Sequence, residues 1–96
     1  MSENEKVNYA RIYKFTATTT AVLFLRRNLK RKLLYVNNQG ANIVELIRQG
    51  QAYGDGLPIA GSGGTFSLDH FNAQDEWWII STTGDSIVRV LEVIQS

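Results

Sequence analysis

Cysteine is absent from this sequence, histidine and proline occur once each, and no apolar run approaches the ~20 residues of a membrane-spanning helix. Without cysteine there is no disulfide, no zinc–thiolate cage and no thiol nucleophile, so packing and backbone hydrogen bonds alone must hold the fold. The single histidine, His70, follows Asp69 in a stretch that reads as a strand. Neighbours in a strand point to opposite faces, so the two form no dyad, and one imidazole does not make a metal site. No Gly-x-Ser-x-Gly elbow is present. The GSGG run at 61–64 lacks the following Lys-Ser/Thr of a phosphate loop and reads as a turn. Asp75 and Glu76 are adjacent, which gives neither a calcium loop nor the facing carboxylates of a glycosidase. These absences exclude the common catalytic arrangements: no enzyme, metal or cofactor is expected. The opening MSENEKVNYARIY lacks the basic-then-apolar order of a secretory leader, which predicts synthesis in the cytoplasm without Sec export.

What is present is an ordinary globular composition, 44% hydrophobic and 20% charged, over 96 residues. That length suits one domain, burying roughly 65% of its unfolded surface. Residues 1–7, MSENEKV, are polar and aperiodic and are expected to form a flexible arm ahead of a domain spanning 8–96. Strands are predicted for 9–20, for Ala21 to Leu25, for KLLYVNN and for Asn42 to Ile47, where NIVELIRQG could instead form a short helix but its length between glycine-containing turns favours a strand. The last two read as a hairpin through Asn38-Gln39-Gly40, with Gly40 supplying a positive φ. Residues 49–65 hold six of the eight glycines and the proline, with a short edge strand at LPIA, where Pro58 cannot donate to a ladder. FSLDHF, EWWIIST and SIVRVLEVI follow, the last two joined as a second hairpin through Thr83-Gly84-Asp85. In the final strand Val88 and Val90 share one face and Leu91 and Val93 the other. That strand is therefore either covered on both faces, implying oligomer contacts, or bulged near Val90. The expected fold is all-β: a single β-sandwich or small barrel, jelly-roll-like, of seven or eight short antiparallel strands.

Charge is uneven along the chain. Residues 1–48 hold nine Lys/Arg and three Asp/Glu, and 49–96 hold one and six, so the halves carry +6 and −5. If folding preserved this asymmetry the domain would be bipolar. Arg26, Arg27, Lys30, Arg31 and Lys32 supply half of all Lys/Arg within seven residues and read as a basic turn, either simply solvated or meeting an acidic protein surface. Nucleic-acid binding is disfavoured, because the second half is acidic and a broad basic surface with stacking aromatics is missing. Trp77 and Trp78 must face opposite ways, so one enters the core while the other either contacts a partner or lies under the glycine-rich loop. With Tyr53 these tryptophans could form a platform for a sugar ring.

The basic turn followed by RKLLYVNNQGANIVEL, then GLPIAGSGGTFSLD, then WWIISTTGDSIVRVLEV, together spanning about residues 26–93, resembles a group of short phage-encoded all-β virion proteins. Glu45, Arg48 and the double Trp depart from that pattern. The resemblance implies a non-enzymatic particle component, foremost a capsid decoration or cement subunit and otherwise a carbohydrate- or receptor-binding fibre or tail module. It also implies a location in the virion after synthesis in the host cytoplasm, a major capsid or other virion protein as partner, and a homo-oligomer, with a trimer favoured. The partner contacts expected on this reading are the 1–7 arm, Arg26, Arg27, Lys30, Arg31, Lys32, Trp77, Trp78 and Tyr53.

Overall fold

The computed structural model describes residues 8–95, with the side chains of His70 and Phe71 excepted; the 1–7 arm lies outside the described residues. Eight strands are present among them: β1 (Asn8–Ala17), β2 (Val22–Leu25), β3 (Arg31–Asn38), β4 (Val44–Ile47), β5 (Leu57–Ile59), β6 (Gly64–Asp69), β7 (Trp77–Ser81) and β8 (Ser86–Gln95). A short helix, α1 (His70–Gln74), separates β6 from β7. The strands form two antiparallel four-stranded sheets in the orders β1-β8-β3-β6 and β2-β7-β4-β5. Each chain connection between β1 and β8 therefore crosses from one sheet to the other, except β4 to β5. This is the jelly-roll arrangement, in which two Greek keys face each other. The first and last described residues pair directly, Asn8 opposite Gln95.

Alternation explains which side chains fill the space between the sheets. In β8, Ser86, Val88, Val90, Glu92 and Ile94 are all buried, while Ile87 and Arg89 are exposed. Leu34 and Val36 of β3 and Phe66 and Leu68 of β6 share that inner face. The second sheet answers with Val44, Leu46, Ile59, Trp77 and Ile79. Phe15 and Phe24 meet edge to face at 5.0 Å, joining the first strands of the two sheets. Each fully buried Leu, Ile or Val in such a layer contributes about 1.5–3 kcal/mol.

Several local expectations are corrected. Neither proposed hairpin forms: β3 pairs with β6 and β8, β4 with β5 and β7, and β7 with β2 and β4. The 38–43 and 82–85 segments instead carry the chain between sheets, because tight-turn residues serve an inter-sheet arch as well as a hairpin. Gly40 has no positive φ. It is needed for space, since a Cβ there would lie 2.0 Å from Ser86 Oγ. The Thr-rich end of the first predicted strand leaves the ladder after Ala17, and FSLDHF stops at Asp69, where α1 begins. The LPI strand does sit at a sheet edge, as Pro58 requires.

Asn38 closes one end of the sandwich. Fully buried, it donates from Nδ2 to the carbonyls of Asn42 (2.7 Å) and Ile59 (3.1 Å). Its Oδ1 accepts from Ser86 Oγ (2.7 Å) and the Gly40 amide (3.2 Å). One side chain thus ties β3, β5, β8 and the 38–43 arch. Asn38→Ala would leave buried partners unsatisfied, at about 1–3 kcal/mol each. Urea denaturation of that variant is expected to show a loss of roughly 2–4 kcal/mol with an unchanged m-value; a change below the error of the measurement would remove the closing role.

Candidate interaction surfaces

The end of the sandwich opposite Asn38 is organised by a buried carboxylate. Glu92 is 1% exposed and occupies the core-facing slot of β8 that follows Val88 and Val90. Its Oε2 accepts from Arg31 Nε at 2.7 Å. Its Oε1 accepts from the Tyr13 hydroxyl at 2.5 Å and from Arg11 Nη2 at 3.2 Å. Arg31, itself 3% exposed, spends its remaining donors on the backbone: Nη1 donates to the Ala73 carbonyl (2.9 Å) and Nη2 to the Arg26 carbonyl (3.1 Å). Burial pushes the Glu92 carboxyl up, but hydrogen bonds from Tyr13, Arg31 and Arg11, with the Arg31 charge, bring it below the ordinary glutamate value. Burial first, then the bond to Glu92, raises the Tyr13 phenol, which stays protonated and donates.

Arg31 is therefore not a partner contact, contrary to the reading of 26–32 as one basic turn. The cause is a register shift in β3 between Arg31 and Leu33. Leu33 and Tyr35 lie on the outer face, opposite Val93 and Leu91, and simple alternation would send Arg31 outward with them. The extra residue, Lys32, reverses the parity and aims Arg31 inward at the level of Ile94. Arg26, Arg27, Lys30 and Lys32 remain exposed.

At one place folding sets the charges of the two halves side by side. Arg27 lines a cleft together with Arg48, Asp75 and Glu76, so acidic residues of the second half stand beside basic ones of the first. Arg48 also pairs with Asp75 at 3.5 Å.

Trp77 is the inward tryptophan. It is buried, donates from Nε1 to the Asn72 carbonyl (3.0 Å), and lies under the Arg48 guanidinium at 4.9 Å, so it cannot serve as a contact or a sugar platform. Trp78 is half-buried on the outer side of the second sheet, between Leu23 and Ile47, and its Nε1 donates to Glu76 Oε1 at 2.8 Å. The glycine-rich loop folds onto this same side: Glu45 Oε1 accepts the amides of Gly54 (2.8 Å) and Gly56 (3.2 Å), which buries Glu45 and Ile47 and leaves Tyr53 exposed at the loop tip. Glu45, a departure from the expected pattern, is thus the anchor of the loop. The side chain of His70 lies outside the described residues.

The outer face of the β1-β8-β3-β6 sheet has no such cover among the described residues. Across it run Ala10, Val93 and Leu33 in one row and Ile12, Leu91 and Tyr35 in the next. Ile87 continues the apolar surface opposite Thr16. Ile12 is 75% exposed, and Ile87 and Tyr35 are also open to solvent. Lys14 stands directly opposite Arg89 between these rows, and neither has a carboxylate within 4 Å among the described residues. Like charges facing each other across strands are destabilising. Apolar residues on both faces of β8 point to oligomer contacts or a bulge, without locating a patch. The signal was the outward set Ile12, Tyr35, Ile87 and Leu91, which becomes a patch only when β1, β8 and β3 are known to be adjacent.

Two outcomes follow from the buried ion pair. Arg31→Ala strands the Glu92 charge and is expected to cost about 3–5 kcal/mol, whereas Arg27→Ala stays within about 0.5 kcal/mol; equal effects in urea melts would contradict the assignment. Because the folded Glu92 value lies below the unfolded one, its stabilising contribution is complete above the unfolded value, about 4.3, and is lost as pH falls through the folded value. Stability measured from pH 6 down to pH 2 should therefore fall more steeply in the wild type than in Glu92→Gln.

No family model matches the chain, and no curated protein matches it. Among solved structures it is similar to a chain of Bacillus endospore appendages, described as a novel family of disulfide-linked pili, at 15% identity over 93% of this chain and 88% of that one, with a TM-score of 0.48.

Proposed function

We propose that this protein is a non-enzymatic structural subunit that works by docking, as one of many copies, onto the surface of a larger protein assembly. The observation that carries this reading is the outer face of the β1-β8-β3-β6 sheet, where exposed apolar side chains flank Lys14 and Arg89, cations with no carboxylate within 4 Å among the described residues. Large exposed apolar patches rimmed by polar groups mark sites of protein association. Among the described residues no cluster of His, Cys, Asp or Glu is placed to hold a metal ion.

The finer form of the proposal is a capsid decoration or cement subunit of a phage shell, supported by the sequence pattern of residues 26–93. Its partner is then a shell protein presenting apolar and acidic groups that meet Ile12, Leu91, Tyr35, Lys14 and Arg89. A lattice-wide array gains its strength from avidity, so each contact can be weak. A sugar-binding tip has less support, since Trp77 is buried and the indole N–H of Trp78 is already bonded to Glu76.

Quantitative mass spectrometry of particles from the source tests the finer form: hundreds of copies per shell are expected, and absence from purified particles overturns it. Ile12→Glu tests the surface itself. Since Ile12 is largely solvent-exposed, the variant is expected to keep the wild-type melting temperature within a few degrees while losing particle occupancy about tenfold or more. Full occupancy by the variant would remove the sheet face from the reading.

A further inference from the structure

A cleft of about 290 Å³ opens between β1 and the 26–30 turn, at the mouth of the buried ion-pair cluster. Four arginines line it, Arg11, Arg26, Arg27 and Arg31, with one acidic residue, Glu92. With the Tyr13 phenol protonated, the cleft carries a net charge of +3. Glu92 already accepts from Arg31, Tyr13 and Arg11. Neither Arg26 nor Arg27 has a carboxylate within 4 Å among the described residues. Within the cleft the arginines outnumber the carboxylates, while Asp75 and Glu76 stand beside Arg27 in the adjoining cleft.

The turn that displays these arginines is held rigidly. Arg31 Nη2 grips the Arg26 carbonyl at 3.1 Å, and the Arg31 amide donates to the Asn28 carbonyl at 3.1 Å. The Asn28 amide donates to the Gln74 carbonyl at 2.9 Å, and Asn28 Oδ1 accepts the Lys30 amide at 2.9 Å. Little backbone order remains to be gained on binding, which is the condition for a preorganised site. Arg11 lines the cleft, is 56% exposed and bonds Glu92 through Nη2, its one ion pair among the described residues. Phe24 and Leu25 give the cleft an apolar wall.

From this geometry we propose that the cleft is a carboxylate-binding site, which receives an acidic side chain of a protein partner between Arg11, Arg26 and Arg27. A guanidinium fork matches a carboxylate in two parallel bonds, and the apolar wall suits the methylenes of the same side chain. A nucleic-acid backbone suits the site less, because its repeating phosphates need a continuing basic track and the adjoining cleft holds Asp75 and Glu76, whereas one carboxylate needs only the arginines of this cleft. The site uses residues separate from the outer sheet face, so it stands or falls independently of the docking reading above.

The test is titration of the 15N-labelled full chain at low ionic strength with an acetylated hexaglutamate peptide, and in parallel with inorganic phosphate and a 20-nucleotide single-stranded DNA. Saturable peptide binding is expected, with amide shifts concentrated at Arg11, Arg27 and Asn28. The double variant Arg26→Ser, Arg27→Ser should bind the peptide about tenfold more weakly with an unchanged melting temperature, as its side chains are exposed and make no internal ion pair. The proposal is overturned if the peptide does not bind saturably, if the double variant binds as well as wild type, or if phosphate or DNA binds more tightly than the peptide.

Discussion

The Glu92 carboxylate sits in a core position of β8 where a valine would continue the strand's apolar series, and the surrounding structure is arranged to keep it ionised. A buried charge of this kind is tolerable only when its partners are correctly placed; exchanging the whole set for apolar groups is often neutral in stability. What the ion pair specifies is register. Arg31 reaches Glu92 only because β3 takes an extra residue at Lys32, and in doing so it grips the carbonyls of Arg26 and Ala73. One acid thus locates β1, β3, β8, the 26–30 turn and the end of α1 relative to one another.

At the opposite end Asn38 performs the corresponding task with neutral groups, binding Ser86 and the carbonyls of Asn42 and Ile59. Between the two hubs the interior is aliphatic and aromatic. The arrangement is economical for a jelly roll, whose strands are mostly joined by inter-sheet arches. Such arches have no hairpin ladder to fix them, so polar side chains at the two ends of the barrel set where each crossing occurs. The third polar anchor, Glu45, does the same for the one irregular stretch, binding the amides of Gly54 and Gly56 and pulling that loop over the second sheet.

Alternation made the strands and the all-β class legible in the sequence, and Pro58 marked the edge strand correctly. Pairing was not legible in the same way. Asn38-Gln39-Gly40 and Thr83-Gly84-Asp85 have the composition of hairpin turns, and nothing local distinguishes a turn within one sheet from a crossing between two. The side of Arg31 was hidden by the bulge, since a single inserted residue inverts every parity argument beyond it. Glu92 was open to inference: it shares parity with Val88 and Val90, so a core carboxylate, and with it a buried cation, could have been deduced. β8 runs without a bulge near Val90, its buried positions alternating from Ser86 to Ile94, and the register shift lies in β3 between Arg31 and Leu33. For the candidate surfaces, charge and aromaticity identified residues but not company, and the sheet-face patch emerges only from the order β1-β8-β3.

The direct pairing of Asn8 with Gln95 has a topological consequence. Both ends of the described chain leave the fold at one corner, side by side on adjacent strands, so the domain is close to a closed loop of polypeptide. Such a unit can be spliced as a cassette into an exposed bend of a host protein without prising the host apart. Equally, its ends can be sealed by a short linker and the chain reopened at the Gly50 to Gly54 loop, giving the same jelly roll a different order of strands.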